Sequence, residues 1–514
     1  MTRWRLALLA LAWSATSLAS AAHVTSAALW FSNGRLSPAG TAFLQQLDSI
    51  EQRGLRRADY DSAGLRALVA AAEGSADAER VRRADQALSD TAGRVASDLQ
   101  RGRISPRQVG YELDFNPPPF DRAGAVATLA SSRDVSAALD SFEPQLRHYK
   151  LLKAALGQYR ELALHPELAN LPSLPRRSVK PGDTYAGMPA LRQLLVALGD
   201  MHEAPGTPLP TTTVLDDPTA RGLAHFQMRI GATPDGVLGN KTHHALTVAP
   251  ARRVEQIELT LERVRWLPRT LTVPPIIVNI PQFRLFAFRT PHDFAQDILQ
   301  MNVIVGATFD GRETPVFSAE MRYVVLNPYW DVPYAIMKRE QLPEITSDSE
   351  WVARNHFQIV NGQGDDARPV PVTAENVSLL ARGVLRLRQE PGPGNALGRV
   401  KFMFPNRHNV YLHDTPGHAL FAASRRAFSH GCIRVADPMA LLAHVLRDDP
   451  QWTAERIAQA LDGPAATRIT LPQPIPVFIL YGTAMATEAG DVLFFEDIYA
   501  QDAKLARVLA LQRR

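Results

Sequence analysis

The chain holds one cysteine, Cys432, in the segment Ser429-His-Gly-Cys-Ile-Arg-Val435, nineteen residues after His413 of Asn409-Val-Tyr-Leu-His413-Asp-Thr-Pro416. A thiol attacks a carbonyl as its thiolate, and a free cysteine, with a pKa of about 8.5, is mostly protonated at neutral pH. It needs a proton acceptor at hand, and an imidazole is the usual one. The pattern assigns Cys432 as nucleophile and His413 as base, with an interval long enough for a strand, a loop and a return. Gly431 lets the backbone turn closely, so amides around Gly431 and Cys432 can face a developing oxyanion. His430 is a candidate to assist or orient the thiol, with a plain loop histidine as the alternative. Ser429 reads as polar support for the turn or as a capping hydroxyl. Arg434 reads as a partner for a substrate carboxylate, a fixer of the loop or a structural ion pair.

A metal site is the competing chemistry, since His408, His413, His418, His430 and Cys432 are all potential zinc ligands. The five-residue intervals among the first three match no common ligand spacing, so neither a metal nor any other cofactor is assigned.

The N-terminus suggests where a lone thiol would work. Arg3 and Arg5 precede the apolar stretch Leu6 to Trp13, and Ala19, Ser20 and Ala21 form a small-x-small cleavage signal. Residues 1–21 read as a secretory signal peptide, which puts the mature protein in the periplasm, with an uncleaved inner-membrane anchor as the alternative. The apolar core is shorter than the roughly 20 residues that span a bilayer, and no transmembrane span is expected after cleavage. One cysteine excludes an internal disulfide, and an odd thiol in an oxidising compartment is a liability unless it does something, with a buried inert thiol as the alternative.

With 514 residues, 46% of them hydrophobic, the chain exceeds one ordinary core and should fold as several domains. The net charge of +4 comes without a basic run interleaved with aromatics, so nucleic acid is not an expected partner. The expected class is multidomain α+β. Residues 22–181 read as a helical scaffold and a linker: helical spacing runs from Pro38 to Arg160, and the proline-rich segment LPSLPRRSVKPGDTYAG (171–187) breaks it. Residues 182–248 read as three short helices around the turn Thr233-Pro-Asp-Gly236. A helix near Val254 to Val264 leads into strands at Ile276–Ile280, Leu285–Phe288, Met301–Val305, Arg322–Asn327 and Val400–Phe404. Within this last domain, residues 249–514, the mixed stretch from about 333 to 385 reads as an insertion over the site. Val477–Leu480 and Val492–Phe495 read as a closing hairpin.

The segment AHFQMRIGATPDGVLGNKT (224–242) resembles the peptidoglycan-binding domain of wall enzymes. His413 followed by Ser429-His-Gly-Cys432 and Arg434 resembles the YkuD-type L,D-transpeptidase family. The large periplasmic YcbB-like branch is matched by SDLQRGRISPRQVGYE (97–112), ERVRWLP (262–268), NIPQFRLFAF (279–288), TPVFSAEMRYVVLNPYWDVP (314–333) and GPGNALGRVKFMFPNRHNVYLHDTP (392–416). The resemblance implies a mainly β catalytic domain with a capping subdomain, with Tyr329 and Trp330 at the mouth of the site or packed in the core. It also implies cleavage of the L,D amide of a tetrapeptide stem through a thioester, then transfer to an amine of a second stem. That chemistry gives 3-3 cross-links insensitive to penicillin, with carbapenems acylating the same cysteine. Stem peptides and the sacculus are the implied partners, and other wall-synthesis enzymes are candidates. Papain-like and NlpC/P60-like peptidases place cysteine before histidine, against the order here. A wall-binding scaffold without activity, and hydrolysis or lipoprotein anchoring through the same thioester, stay open.

Overall fold

Strand alternation builds the C-terminal half of the computed structural model, which describes residues 28–115, 119–202, 208–291 and 298–512; the expected signal peptide lies outside them. Among the described residues one sheet has nine strands: β1 (Ile276–Asn279), β2 (Arg284–Ala287), β3 (Leu299–Gly306), β4 (Phe317–Leu326), β5 (Val400–Met403), β6 (Leu412–His413), β7 (Ala427–Ser429), β8 (Ile433–Val435) and β9 (Thr467–Leu480). Their order is β7-β3-β8-β6-β5-β4-β9-β1-β2, and β2 pairs back onto β3, which closes a barrel. Closure removes the open edges that a sheet otherwise exposes. Successive side chains on a strand alternate faces, so Val324, Leu326, Val400, Phe402, Leu412 and Ile433 fill the interior with no exposed surface. Their neighbours Tyr323, Val325, Lys401, Met403, His413 and Arg434 take the outer face. The architecture is α+β, with a helical N-terminal region and a mainly β catalytic region.

Between β4 and β5 the chain leaves the barrel and builds a subdomain with its own core of Val332, Met337, Ile345, Val352, Ile359, Leu380 and Leu387. The sequence suggested an insertion of about 333–385 without strands. Instead Arg368–Val370, Phe357–Asn361, Arg386–Gln389 and Trp330–Asp331 form a four-stranded antiparallel sheet, so the cap runs from Trp330 to Gln389. Its stalk is tied down: the Asn395 amide donates to the Pro328 and Glu390 carbonyls, and Asn327 donates to those of Ala460, Leu461 and Gly463.

The helix Pro250–Val264 is the hub of the molecule. It buries residues on every side, including Glu258, Glu262 and Arg263, which is possible because each charge meets a partner from a different region. Glu262 accepts the Arg103 amide at 2.6 Å, Arg263 meets Asp502 at 2.6 Å, and Glu258 meets Arg160 at 2.5 Å.

Three short helices, Met188–Ala197, Asp217–Arg229 and Asn240–Leu246, appear where the sequence suggested. Gln227 clamps the Pro-Asp-Gly turn, donating to Asp235 at 2.8 Å and accepting from the Gly236 amide at 2.8 Å. The expected linker is partly absorbed: Ser178–Val179 pairs with Leu238–Gly239, and the Tyr185 hydroxyl bonds the Pro172 carbonyl. The closing hairpin is also corrected. Val477–Leu480 belongs to β9 in the barrel, and the strand Val492–Phe494 pairs with Ala484–Ala486 instead. Three alternate prolines, at 472, 474 and 476, concealed β9, which accommodates them around a register shift between Thr470 and Ile475.

Candidate active site

Register brings the two sequence-selected residues together. β6 and β8 run parallel, with Leu412 opposite Ile433 and His413 opposite Arg434. Cys432 comes just before β8, and the Ile433 amide bonds the Tyr411 carbonyl at 3.1 Å. By strand alternation Tyr411, His413, Cys432 and Arg434 share the outer face of the barrel, and Lys401, opposite His413 on β5, shares it too. The His413 ring is buried and edge-on to Tyr411, with centroids 5.6 Å apart. Its Nδ1 lies 2.5 Å from the Asp414 carbonyl oxygen. That oxygen can only accept, so Nδ1 carries the proton and Nε2 keeps its lone pair for a substrate-side proton.

Burial, aided by the positive charges of Arg434 and Lys401, pushes His413 down to about 3, against the pull of the Asp414 carbonyl. Burial pushes the Cys432 thiol up, opposed by the backbone amide and hydroxyl of Tyr411 and by Lys401 and Arg434. The resting pair is thus a neutral thiol beside a neutral imidazole. Sγ donates to the Asn409 carbonyl at 3.6 Å and makes no hydrogen bond to His413 among the described residues. Attack therefore requires the thiol to rotate away from that carbonyl, a looseness common before substrate binds.

The turn carrying the thiol is braced from two sides. Ser429 Oγ donates to the Cys432 carbonyl at 2.5 Å and accepts the Gly431 amide at 3.2 Å, so Ser429 supports the turn. The Gly431 amide, expected in the oxyanion hole, is occupied here by Ser429, whereas the Cys432 amide beside it has no acceptor among the described residues. Gly431 has φ +112°, in the region that favours glycine. From the other side Thr314 Oγ1 donates to the Gly431 carbonyl at 2.8 Å and accepts the Gly306 amide at 2.9 Å, while the Thr314 backbone amide donates to the Tyr499 hydroxyl at 3.3 Å. Gly306 admits no side chain, because a Cβ would lie 1.9 Å from the Arg312 carbonyl oxygen.

The cap reaches this turn through Glu340, whose Oε1 lies 2.7 Å from His430 Nε2 and 3.5 Å from Arg312. His430 therefore engages the cap rather than the thiol. Trp330 packs in the cap core against Phe357 and bears on the Tyr411 hydroxyl, while Tyr329, 38% exposed, lies under the Arg388 guanidinium at 4.8 Å. Arg434 keeps its Nε buried without a hydrogen-bond partner. His408 meets Glu112 at 3.0 Å and His418 lies 3.7 Å from Asp414, each imidazole on its own carboxylate. Among the described residues no cluster of metal-holding side chains forms. Sequence reading missed Tyr411, Lys401, Glu340 and Asp414. Tyr411 was legible in principle, two residues before His413 and so on the same strand face; the others depend on cross-strand register, a loop closure and a distant insertion.

Residues 275–459 match the L,D-transpeptidase catalytic domain called YkuD, which includes His413 and Cys432, and residues 23–156 match a scaffold domain. A protein of Haemophilus influenzae named "Putative L,D-transpeptidase" is 32% identical over 251 residues, 49% of this chain and 49% of that protein. The chain thus spans about half the length of the curated relative it matches. A solved structure from Clostridium acetobutylicum, a fused zinc-dependent amidase/peptidase with a peptidoglycan-binding domain, covers 59% of this chain and 99% of its own at 12% identity, with a TM-score of 0.17, too low to mark a shared fold. Most of the barrel is thus formed by residues 275–459, the region that matches the L,D-transpeptidase catalytic domain called YkuD.

Proposed function

We propose that the protein is an exported L,D-transpeptidase that cross-links peptidoglycan stems through a Cys432 thioester. The observation that carries this reading is the shared outer face of β6 and β8, which sets a thiol, a neutral imidazole with a free Nε2 and two cations side by side beneath a cap. Sγ attacks the carbonyl carbon of the amide between the third residue and the terminal D-alanine of a tetrapeptide stem, and its proton passes to His413 Nε2. The Cys432 amide is positioned to receive the developing oxyanion. As the C–N bond breaks, the proton moves from His413 to the leaving nitrogen, and D-alanine departs. An amine of a second stem then attacks the thioester, gives its proton to His413, and sulfur leaves. A thioester holds acyl energy for an amine, and a cap that limits water favours transfer over hydrolysis.

In the same reading residues 1–21 direct export to the periplasm and the three-helix unit grips the sacculus, while Arg434 serves a substrate carboxylate. Carbapenems acylate the same thiol. The test is incubation of the mature protein with tetrapeptide muropeptides, followed by mass analysis. Dimers joined between third-position residues are expected from the wild type. The His413→Ala variant should be slower by about 10² to 10⁴, the usual effect of losing a positioned base. Tripeptide alone would mean hydrolysis, and would overturn the cross-linking reading.

A further inference from the structure

The residues beside Cys432 leave an imbalance of charge. Lys401 lies directly across the β5–β6 ladder from His413, and its ammonium sits 4.0 Å from the centroid of the Tyr411 ring. Val400 and Phe402 point into the barrel, so the intervening lysine has to take the outer face, half-buried beneath the cap. Lysine is rarely withdrawn from water without an anion, yet no carboxylate lies within ion-pair distance of Lys401 among the described residues. The charges facing the thiol can be named element by element. β6 and the residue before it supply the neutral His413 and Tyr411, β5 supplies Lys401, and Cys432's own segment supplies Arg434, while Asp331 of the cap acts on Lys401. Asp331 is committed to Arg388 at 2.7 Å, and Glu340 is committed to His430 and Arg312. Two cations therefore surround the one group in the cluster that becomes an anion during the reaction.

We infer that Lys401 is a positioning residue whose ammonium, held across from His413 and against Tyr411, stabilises the Cys432 thiolate in place of an imidazolium. The inference rests on Cys432 being the nucleophile of the proposed reaction. Lys401 and Cys432 stand on either side of β6, about 9–10 Å apart in strand spacing, and the long lysine side chain narrows that gap by reaching over the Tyr411 ring between them. His413, facing the same two cations, resists taking a lasting positive charge. The ion pair familiar in thiol enzymes is thus replaced by a fixed cation, which leaves the imidazole neutral and able to move protons in both half-reactions. The resting thiol keeps its proton for transfer to His413 during turnover; only where no leaving amine must be protonated, as in alkylation, does that proton go to water while the thiolate forms opposite Lys401 and Arg434.

The test is the pH profile of alkylation by iodoacetamide, in which the thiolate displaces iodide and forms an S–C bond. Cys432 is the sole cysteine, so labelling reports on it alone and needs no substrate. Lys401→Met is expected to raise the apparent thiol pKa by about one to two units and to slow labelling at pH 7 by about 10- to 100-fold, the effect of one charge at this range in a partly solvated site. Lys401→Arg is expected to stay within about threefold of the wild type. Circular dichroism checks folding, and Lys401→Gln carries the same expectation should Lys401→Met not fold. A folded Lys401→Met with an unshifted profile would overturn the inference, as would equal impairment of the folded methionine and arginine variants, which would mean shape rather than charge. A wild type that labels as expected but transfers no acyl group would defeat the transpeptidase reading and leave the role of Lys401 standing.

Discussion

Ser429 shows how much of the chemistry lies in supporting side chains. Its hydroxyl bonds both the Gly431 amide and the Cys432 carbonyl, so Ser429→Ala leaves two backbone groups of the catalytic turn unmet. Each unmet buried group costs about 1–3 kcal/mol. Turnover should fall about tenfold or more with little change in KM, while the barrel keeps its circular dichroism spectrum; an unchanged kcat would show that the turn holds its shape without this hydroxyl. That Cys432 and His413 come together was legible because a lone thiol and a histidine in this order announce themselves by type and spacing. Lys401 was not: nothing local marks a lysine on an apolar strand until the ladder places it opposite His413. The Gly431 amide misled for a related reason, since glycine frees the backbone to turn but does not say which acceptor its amide will find.

At the scale of elements, the cap is where sequence reading was least complete. Its strands are short, and Phe357–Asn361 and Arg386–Gln389 alternate with charged and polar residues because their outer faces meet solvent or the site. The periodicity that exposed β3 and β4 is therefore diluted, and Trp330–Asp331, two residues long, has none to show. The hairpin error has a similar origin, because Ala484–Ala486 lacks the β-branched residues that mark strands. Among the described residues the ion pair between cap and the turn bearing Cys432 is made by Glu340, bonded to His430 and also to Arg312 and 39% exposed in its side chain. An exposed pair of this kind stabilises by about 0–1 kcal/mol, so Glu340→Ala should leave global stability nearly unchanged. It should instead loosen the roof: KM for a stem peptide is expected to rise several-fold, with faster amide hydrogen exchange across residues 337–341. Unaltered KM together with unaltered exchange would mean that the stalk through Asn327 and Asn395 holds the cap alone.

For the whole molecule, the hub helix makes the regions one assembly rather than beads on a string. Just beyond its end Arg265, buried, donates to the Tyr149 hydroxyl, to the Arg53 carbonyl at 2.5 Å and to Glu262 at 3.2 Å, joining the scaffold to the barrel. Truncating one member of such a buried network strands its partners at a cost of about 3–5 kcal/mol. Arg265→Leu should therefore lower the denaturant midpoint markedly and split unfolding into scaffold and barrel phases; a single transition at the wild-type midpoint would contradict this. The three-helix unit is docked as well, since Arg229 donates to the Val492 carbonyl at 2.6 Å and His225 lies 3.4 Å from Asp491. Deleting it would uncover the Tyr159 and Phe494 rings that pack edge-on beneath it, so wall binding is better probed with the unit left in place. No helix among the described residues is long and apolar enough to cross a membrane. The central claim, a thioester on Cys432, is open to one direct measurement: intact-mass analysis of the enzyme quenched in acid during turnover of a tetrapeptide stem, with mapping of the modified peptide. The expected result is an adduct equal to the stem minus D-alanine on the peptide bearing Cys432, absent from Cys432→Ser along with all cross-linked product. A folded Cys432→Ser that still formed dimers, or an adduct mapped to another residue, would contradict the account.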